Sequence, residues 1–181
     1  MTRHVFHPVA FSCAWLLTLA LSGLLTVPTA AAETARAELK DTHGMRVGEA
    51  TLQDTAEGLK VSATFSELPP GDHAFHVHAI GRCEPPFESA GGHFNPTQRQ
   101  HGRDNPQGAH LGDMPNIQVA DRKTASIEVV LKDVTLGKGP NRLLDTDGAS
   151  LVVHQGSDDY VSDPAGNAGS RIACGVITTR N

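Results

Sequence analysis

Seven of the ten histidines in this 181-residue chain lie between residues 73 and 154, and their spacing is what ligands to metal ions require. His76 and His78 flank Val77 in a strand candidate. Residues i and i+2 of a strand project from one face, so both imidazoles can converge on one ion while Val77 points into a core. Taken alone, such a pair is more often two surface histidines than a metal site. Downstream, His93, His101, His110 and Asp113 fall within 21 residues, with seven, eight and two residues between successive members. Three imidazoles and one carboxylate fill a tetrahedral shell, which suits Zn²⁺ in a closed structural site. Imidazole also suits Cu²⁺, so His76, His78 and one further histidine can form a second, redox-active site. His154, which ends the apolar run Leu151-Val152-Val153, is the candidate.

Ligands this far apart in sequence need a frame to bring them together. Aromatic residues make up only 4% of the chain, while 18 glycines and 11 prolines favour short strands joined by turns. Residues 59–65 alternate apolar and polar side chains, residues 126–132 do so more loosely, and both are half-buried strand candidates. Further strands are expected at 35–40, 47–53, 73–79, 117–120, 151–154 and 172–178. About eight short strands predict an all-β sandwich or flattened barrel. Segments 81–116 and 157–170 are rich in Gly, Pro, Asn, Asp and His, do not alternate, and read as loops. Structureless loops beyond about 12 to 15 residues are uncommon in compact domains unless functional. Metal ligation and a disulfide would order the first of them.

Residues 1–32 differ from the rest, with Arg3 as their sole Lys, Arg, Asp or Glu. An apolar run over 9–27 is followed by Ala30-Ala31-Ala32, small residues suited to cleavage before Glu33. The expected organisation is a signal peptide at 1–32 and one domain at 33–181. An uncleaved anchor is the competing reading, but Ser12, Thr18, Ser22 and Thr26 dilute the run, so no stable membrane insertion is expected after cleavage. Cys13 would leave with the leader. Cys83 and Cys174 would remain in a compartment where disulfides persist and are expected to be bonded, two free buried thiols being the alternative. The formal charge of -5, one unit more negative without Arg3, argues against a nucleic-acid partner.

Six segments together resemble the copper/zinc superoxide dismutases of bacterial periplasmic type. They are Phe75-His76-Val77-His78, Gly92-His93-Phe94-Asn95-Pro96, His101-Gly102, His110-Leu111-Gly112-Asp113, Leu151-Val152-Val153-His154 and the run from Gly166-Asn167-Ala168-Gly169-Ser170-Arg171 to Ile177. The likeness covers nearly all of 33–181, and so many short matches in order are specific jointly though not singly. It implies a Greek-key β-sandwich, or flattened eight-stranded barrel, with two long functional loops. It further implies one copper per subunit on His76, His78, His93 and His154, and one zinc on His93, His101, His110 and Asp113. His93 would bridge the ions and take part in proton transfer, and Asp158 would link a copper-ligand and a zinc-ligand histidine. Arg171 would place its guanidinium beside the copper to position a small anion, and Cys83 with Cys174 matches the family's disulfide. The implied reaction turns superoxide into dioxygen and hydrogen peroxide through a Cu(II)/Cu(I) cycle, in the periplasm, protecting the cell envelope. Assembly is open, with a homodimer as one expectation.

One departure from the eukaryotic pattern is Pro164-Ala165 before Gly166, where a lysine and a threonine are familiar, so Arg99, Arg103 and Lys123 are named as substitute steering cations. A metal carrier that kept the fold without turnover is the rival reading. It would be expected to have lost a ligand or Arg171, and none is missing. A purely structural sandwich would bear only surface histidines. His73, three residues from His76 and so on the opposite strand face, is expected to form structural hydrogen bonds.

Overall fold

Residues whose side chains alternate between core and solvent form the longest strands of this computed structural model, which describes residues 1–2 and 33–179. The expected leader, apart from residues 1–2, lies outside the described residues, as does Cys13. Strands β1 (Thr34–Asp41), β2 (Arg46–Thr55) and β3 (Gly58–Ser66) form a meander. From β1 the inward set is Ala35, Ala37 and Leu39, and from β3 it is Leu59, Val61, Ala63 and Phe65, every one of them buried. The remaining strands are β4 (Gly71–His73), β5 (Phe75–His78), β6 (Ile117–Val119), β7 (Thr124–Leu131), β8 (Ser150–His154), β9 (Arg171–Val176) and β10 (Thr178–Thr179).

The sheet runs β5-β8-β9-β1-β2-β3-β7, with β10 on β1, and every pairing is antiparallel. The chain leaves β3 for β4, yet β7 pairs with β3, and this crossing connection is the Greek-key step. Strands β4 and β6 pair separately. The barrel is completed by packing and chain continuity: β6 lies against β7, and β4 runs through Ala74 directly into β5. The expected strand at 73–79 therefore divides at Ala74, whose N–H bonds Gly156 O at 2.8 Å. The expected strand at 172–178 divides at Ile177, whose N–H reaches Ala149 O at 3.0 Å.

Strands β5 and β8 depart from alternation, because all nine of their residues are buried. Val77, Leu151 and Val153 join the main core with Phe65 and Phe75, whose rings meet edge to face at 5.2 Å. The opposite faces are covered by the two long loops, so both sides of this wall are excluded from water. A third irregular segment, 132–149, sends Val134, Leu136 and Leu143 into the core. Among the described residues no helix is long and apolar enough to cross a membrane.

Cys83 and Cys174 form a disulfide, with Cα atoms 5.6 Å apart and a sequence separation of 91. It joins the first long loop to β9 and packs with Phe87, Ala90 and Val152. Replacing either cysteine with serine is expected to lower the unfolding free energy by about 2–5 kcal/mol, read by urea denaturation of the metal-loaded protein. An unchanged midpoint would mean that the metal ligands alone hold the loop.

Candidate metal centre

The loop between β5 and β6 is laced along the free edge of β5, and this brings distant histidines into contact. Ala79 N donates to Gly92 O at 2.9 Å, Phe94 N to Val77 O at 2.8 Å and Val77 N to Gly112 O at 2.9 Å. Isolated bridges place His93 beside His78 and Asp113 beside His76. Gly112 permits the approach, since a Cβ there would collide with Val77 O. On the other side, a register shift between Val153 and His154 turns the end of β8, setting His154 opposite Arg171 of β9.

Two four-residue groups of possible ligands result, His76-His78-His93-His154 and His93-His101-His110-Asp113, with a three-residue group, His76-His101-Asp158, between them; the donor atoms within each lie inside 4.8 Å of one another. His93 belongs to both four-residue groups. In the second group Asp113 Oδ1 lies 2.9 Å from His93 Nδ1, 3.1 Å from His101 Nδ1 and 3.4 Å from His110 Nδ1. His110 Nδ1 and His93 Nδ1 are 3.3 Å apart. A tetrahedral shell with bonds of about 2.0–2.1 Å has edges of roughly 3.3 Å, so the spacing suits one small divalent ion.

Tautomers decide the chemistry of the first group. His78 Nδ1 faces Gly91 O at 3.0 Å and His154 Nδ1 faces Gly169 O at 3.2 Å. A carbonyl only accepts, so each Nδ1 carries the proton and each Nε2 is a bare lone pair. Those two Nε2 atoms stand 3.4 Å apart. His76 Nε2 gives its proton to Asp158 Oδ2 at 2.8 Å, and its Nδ1 is buried without a partner, as is Nε2 of His93. Four unprotonated nitrogens facing one another in a buried place could hold a cation, and the residues present fit a metal on donor chemistry alone.

Burial, helped by neighbouring imidazoles, keeps His78, His93 and His154 neutral. It pushes His78 down to about 2 with help from His93, and His154 down to about 3 with help from His76. His93 falls to about 4, where burial outweighs its bond to Asp113. Neutral imidazole is the ligating form. His101 goes the other way: burial lowers it, but bonds to Asp113 and Asp158 prevail and raise it to about 9. Burial alone would raise the Asp113 and Asp158 carboxyls, and the histidine N–H donors hold both well below the ordinary range.

Asp158 sits between the groups, its Oδ1 2.9 Å from His101 Nε2 and its Oδ2 on His76. Asn116 fixes it from behind, donating to Asp158 O at 3.0 Å and accepting from Asp158 N at 2.8 Å. The Asn116 N–H in turn reaches the Tyr160 hydroxyl at 2.8 Å. Neither Asn116 nor Tyr160 was expected from sequence, and the only signal is that Asn116 directly precedes a strand. Arg171 is 15% exposed and donates to Phe87 O and Gly91 O, both at 2.7 Å. His73 donates one ring N–H and has both nitrogens within 2.9 Å of carbonyls, those of His154 and Pro69, in the structural role expected. Of the three suggested steering cations, Arg99 is spent on Gln107 O and Gly108 O, Arg103 lies over the Tyr160 ring and Lys123 pairs with Glu67.

Residues 46–177 match the family model described as copper/zinc superoxide dismutase. The chain belongs to that family. It is 49% identical over 144 residues to the Aquifex aeolicus superoxide dismutase [Cu-Zn] 1, covering 78% of this chain and 85% of that protein. A second Aquifex aeolicus superoxide dismutase [Cu-Zn] is 51% identical over 146 residues, covering 79% and 85%. Among solved structures, a SOD-like protein from Bacillus subtilis superposes with a TM-score of 0.76 at 36% identity, over 79% of this chain and 97% of that one. Membership makes the chain a superoxide dismutase, an oxidoreductase of the copper- and zinc-dependent kind.

Proposed function

We propose that His76, His78, His93 and His154 hold copper, that His93, His101, His110 and Asp113 hold zinc, and that His93 bridges the two. The observation that supports this most directly is the pair of bare Nε2 atoms of His78 and His154, 3.4 Å apart, beside the unpartnered nitrogens of His76 and His93. Copper, when bound, supplies the one-electron Cu(II)/Cu(I) couple for the reaction in which two superoxide anions and two protons give dioxygen and hydrogen peroxide. The chain's residues do the rest. Arg171, tethered by two carbonyls, presents a permanent cation that attracts and orients a small anion. Nε2 of His93 is where a proton can be held and passed on, because its Nδ1 stays among the zinc set. Asp158 keeps the His76 and His101 rings in the tautomers that ligation needs.

The same reading places the protein in the bacterial periplasm after removal of residues 1–32, where it would clear superoxide from the cell envelope. The Cys83–Cys174 disulfide supports it, since such bonds persist in oxidising compartments. The test is dismutation by the purified protein loaded with copper and zinc. Fast turnover that disappears when copper alone is withheld is the expected result. Stoichiometric copper and zinc without turnover would leave a metal carrier on a dismutase fold.

A further inference from the structure

The turn that holds Arg171 also carries an acid pointed at it. The short 3-10 turn Glu88–Ala90 is flanked by Phe87 and Gly91, whose carbonyls are the two acceptors of the Arg171 guanidinium. Gly91 O also accepts from His78 Nδ1, so one carbonyl oxygen separates the guanidinium from an imidazole of the first metal group. Glu88 Oε2 lies 3.8 Å from Arg171 Nη2, and the Glu88 side chain is 77% exposed. Over residues 82–91 the other charges are Arg82 and Glu84, which lie 3.9 Å apart and offset each other. Seen by an approaching anion, Glu88 therefore offsets part of the Arg171 charge.

We propose that Glu88 is a charge brake on anion entry, limiting the pull of Arg171 without touching substrate or ligands. This rests on the dismutase reading. A pair whose acid is this exposed contributes little to folding, so the carboxylate has no evident structural task. The carbonyls that hold Arg171 belong to the main chain, and altering the Glu88 side chain leaves them in place. The brake acts on encounter and initial binding of a small anion. Its reach follows the Debye length, about 10 Å at 0.1 M salt.

The test uses the copper- and zinc-loaded protein with Glu88→Gln and Glu88→Lys beside the unaltered chain. Azide, a small anion that ligates Cu(II), is titrated by visible absorption at low and high ionic strength, and dismutation kcat/KM is measured in parallel. Removing one charge at this distance is expected to tighten azide binding and raise kcat/KM about threefold at low salt, and Glu88→Lys about tenfold. Both gains should shrink as salt is added, with unfolding midpoints unchanged. Equal azide affinities in all three proteins at low salt, with equal copper content, would overturn the brake and leave the dismutase reading untouched. Azide affinities that shift as expected, with no dismutation by any of the three, would overturn the dismutase reading and support the brake. A protein that takes up no copper would overturn both.

Discussion

His154→Ala is expected to bring bound copper from about one per chain to near none, and dismutation to the level of the copper-free protein, while zinc stays. The selectivity follows from the geometry. His154 contributes Nε2 to the first group only, and its contacts with the rest of the fold are largely main-chain: its N–H bonds Ala74 O, and its carbonyl takes the His73 ring at 2.8 Å. Alanine keeps those bonds and removes the lone pair. The His101-His110-Asp113 set and its share of His93 remain assembled, so the loop that carries them should persist. Elemental analysis beside a turnover assay checks this. Retained copper and activity would show that three nitrogens suffice, and loss of both metals would show that His154 acts through the fold.

The strands were legible in sequence wherever one face meets solvent. Residues 59–65 alternate because Leu59, Val61, Ala63 and Phe65 face the core while the residues between them do not. Alternation was silent for β5 and β8, where the loops bury the second face. There the candidate ligands themselves marked the strand, His76 and His78 by their i, i+2 spacing and His154 by ending an apolar run. Segment 132–149 escaped because its core residues, Val134, Leu136 and Leu143, sit in irregular backbone with no period to detect.

For the site, the histidines and Asp113 declared themselves by type and spacing, but their supports did not. Gly91 and Gly169 orient His78 and His154 through backbone carbonyls, which every residue possesses. Asn116 works through an amide 42 residues from its partner Asp158, a separation that no local pattern reports. Asp158 itself was named only through the family resemblance. Beside Asp159 it is an ordinary loop acid in sequence, and only the fold shows one buried and the other exposed. Asp159 is held down to about 2 by the backbone N–H groups of Ser162 and Val161, so it caps a turn and faces no metal ligand.

That contrast makes Asp158→Asn the most informative change in the second long loop. The carboxylate accepts from His76 on one oxygen and from His101 and the Tyr160 N–H on the other. An amide keeps one acceptor oxygen and turns an NH₂ toward the second ring, so one imidazole must give up the tautomer that leaves its inner nitrogen bare. Loss of the negative charge also makes both rings weaker donors to a metal. Because His76 lies in the first group and His101 in the second, both ions should bind about 10- to 100-fold more weakly, measured by competition with chelators of known affinity. Asp159→Asn changes the same charge one residue away and should leave both affinities within about twofold, since a surface change away from such contacts is nearly neutral. Equal losses in the two variants would reduce Asp158 to a general field effect. A loss confined to one ion would show which ring the amide had been able to satisfy, and that the two groups are tuned separately.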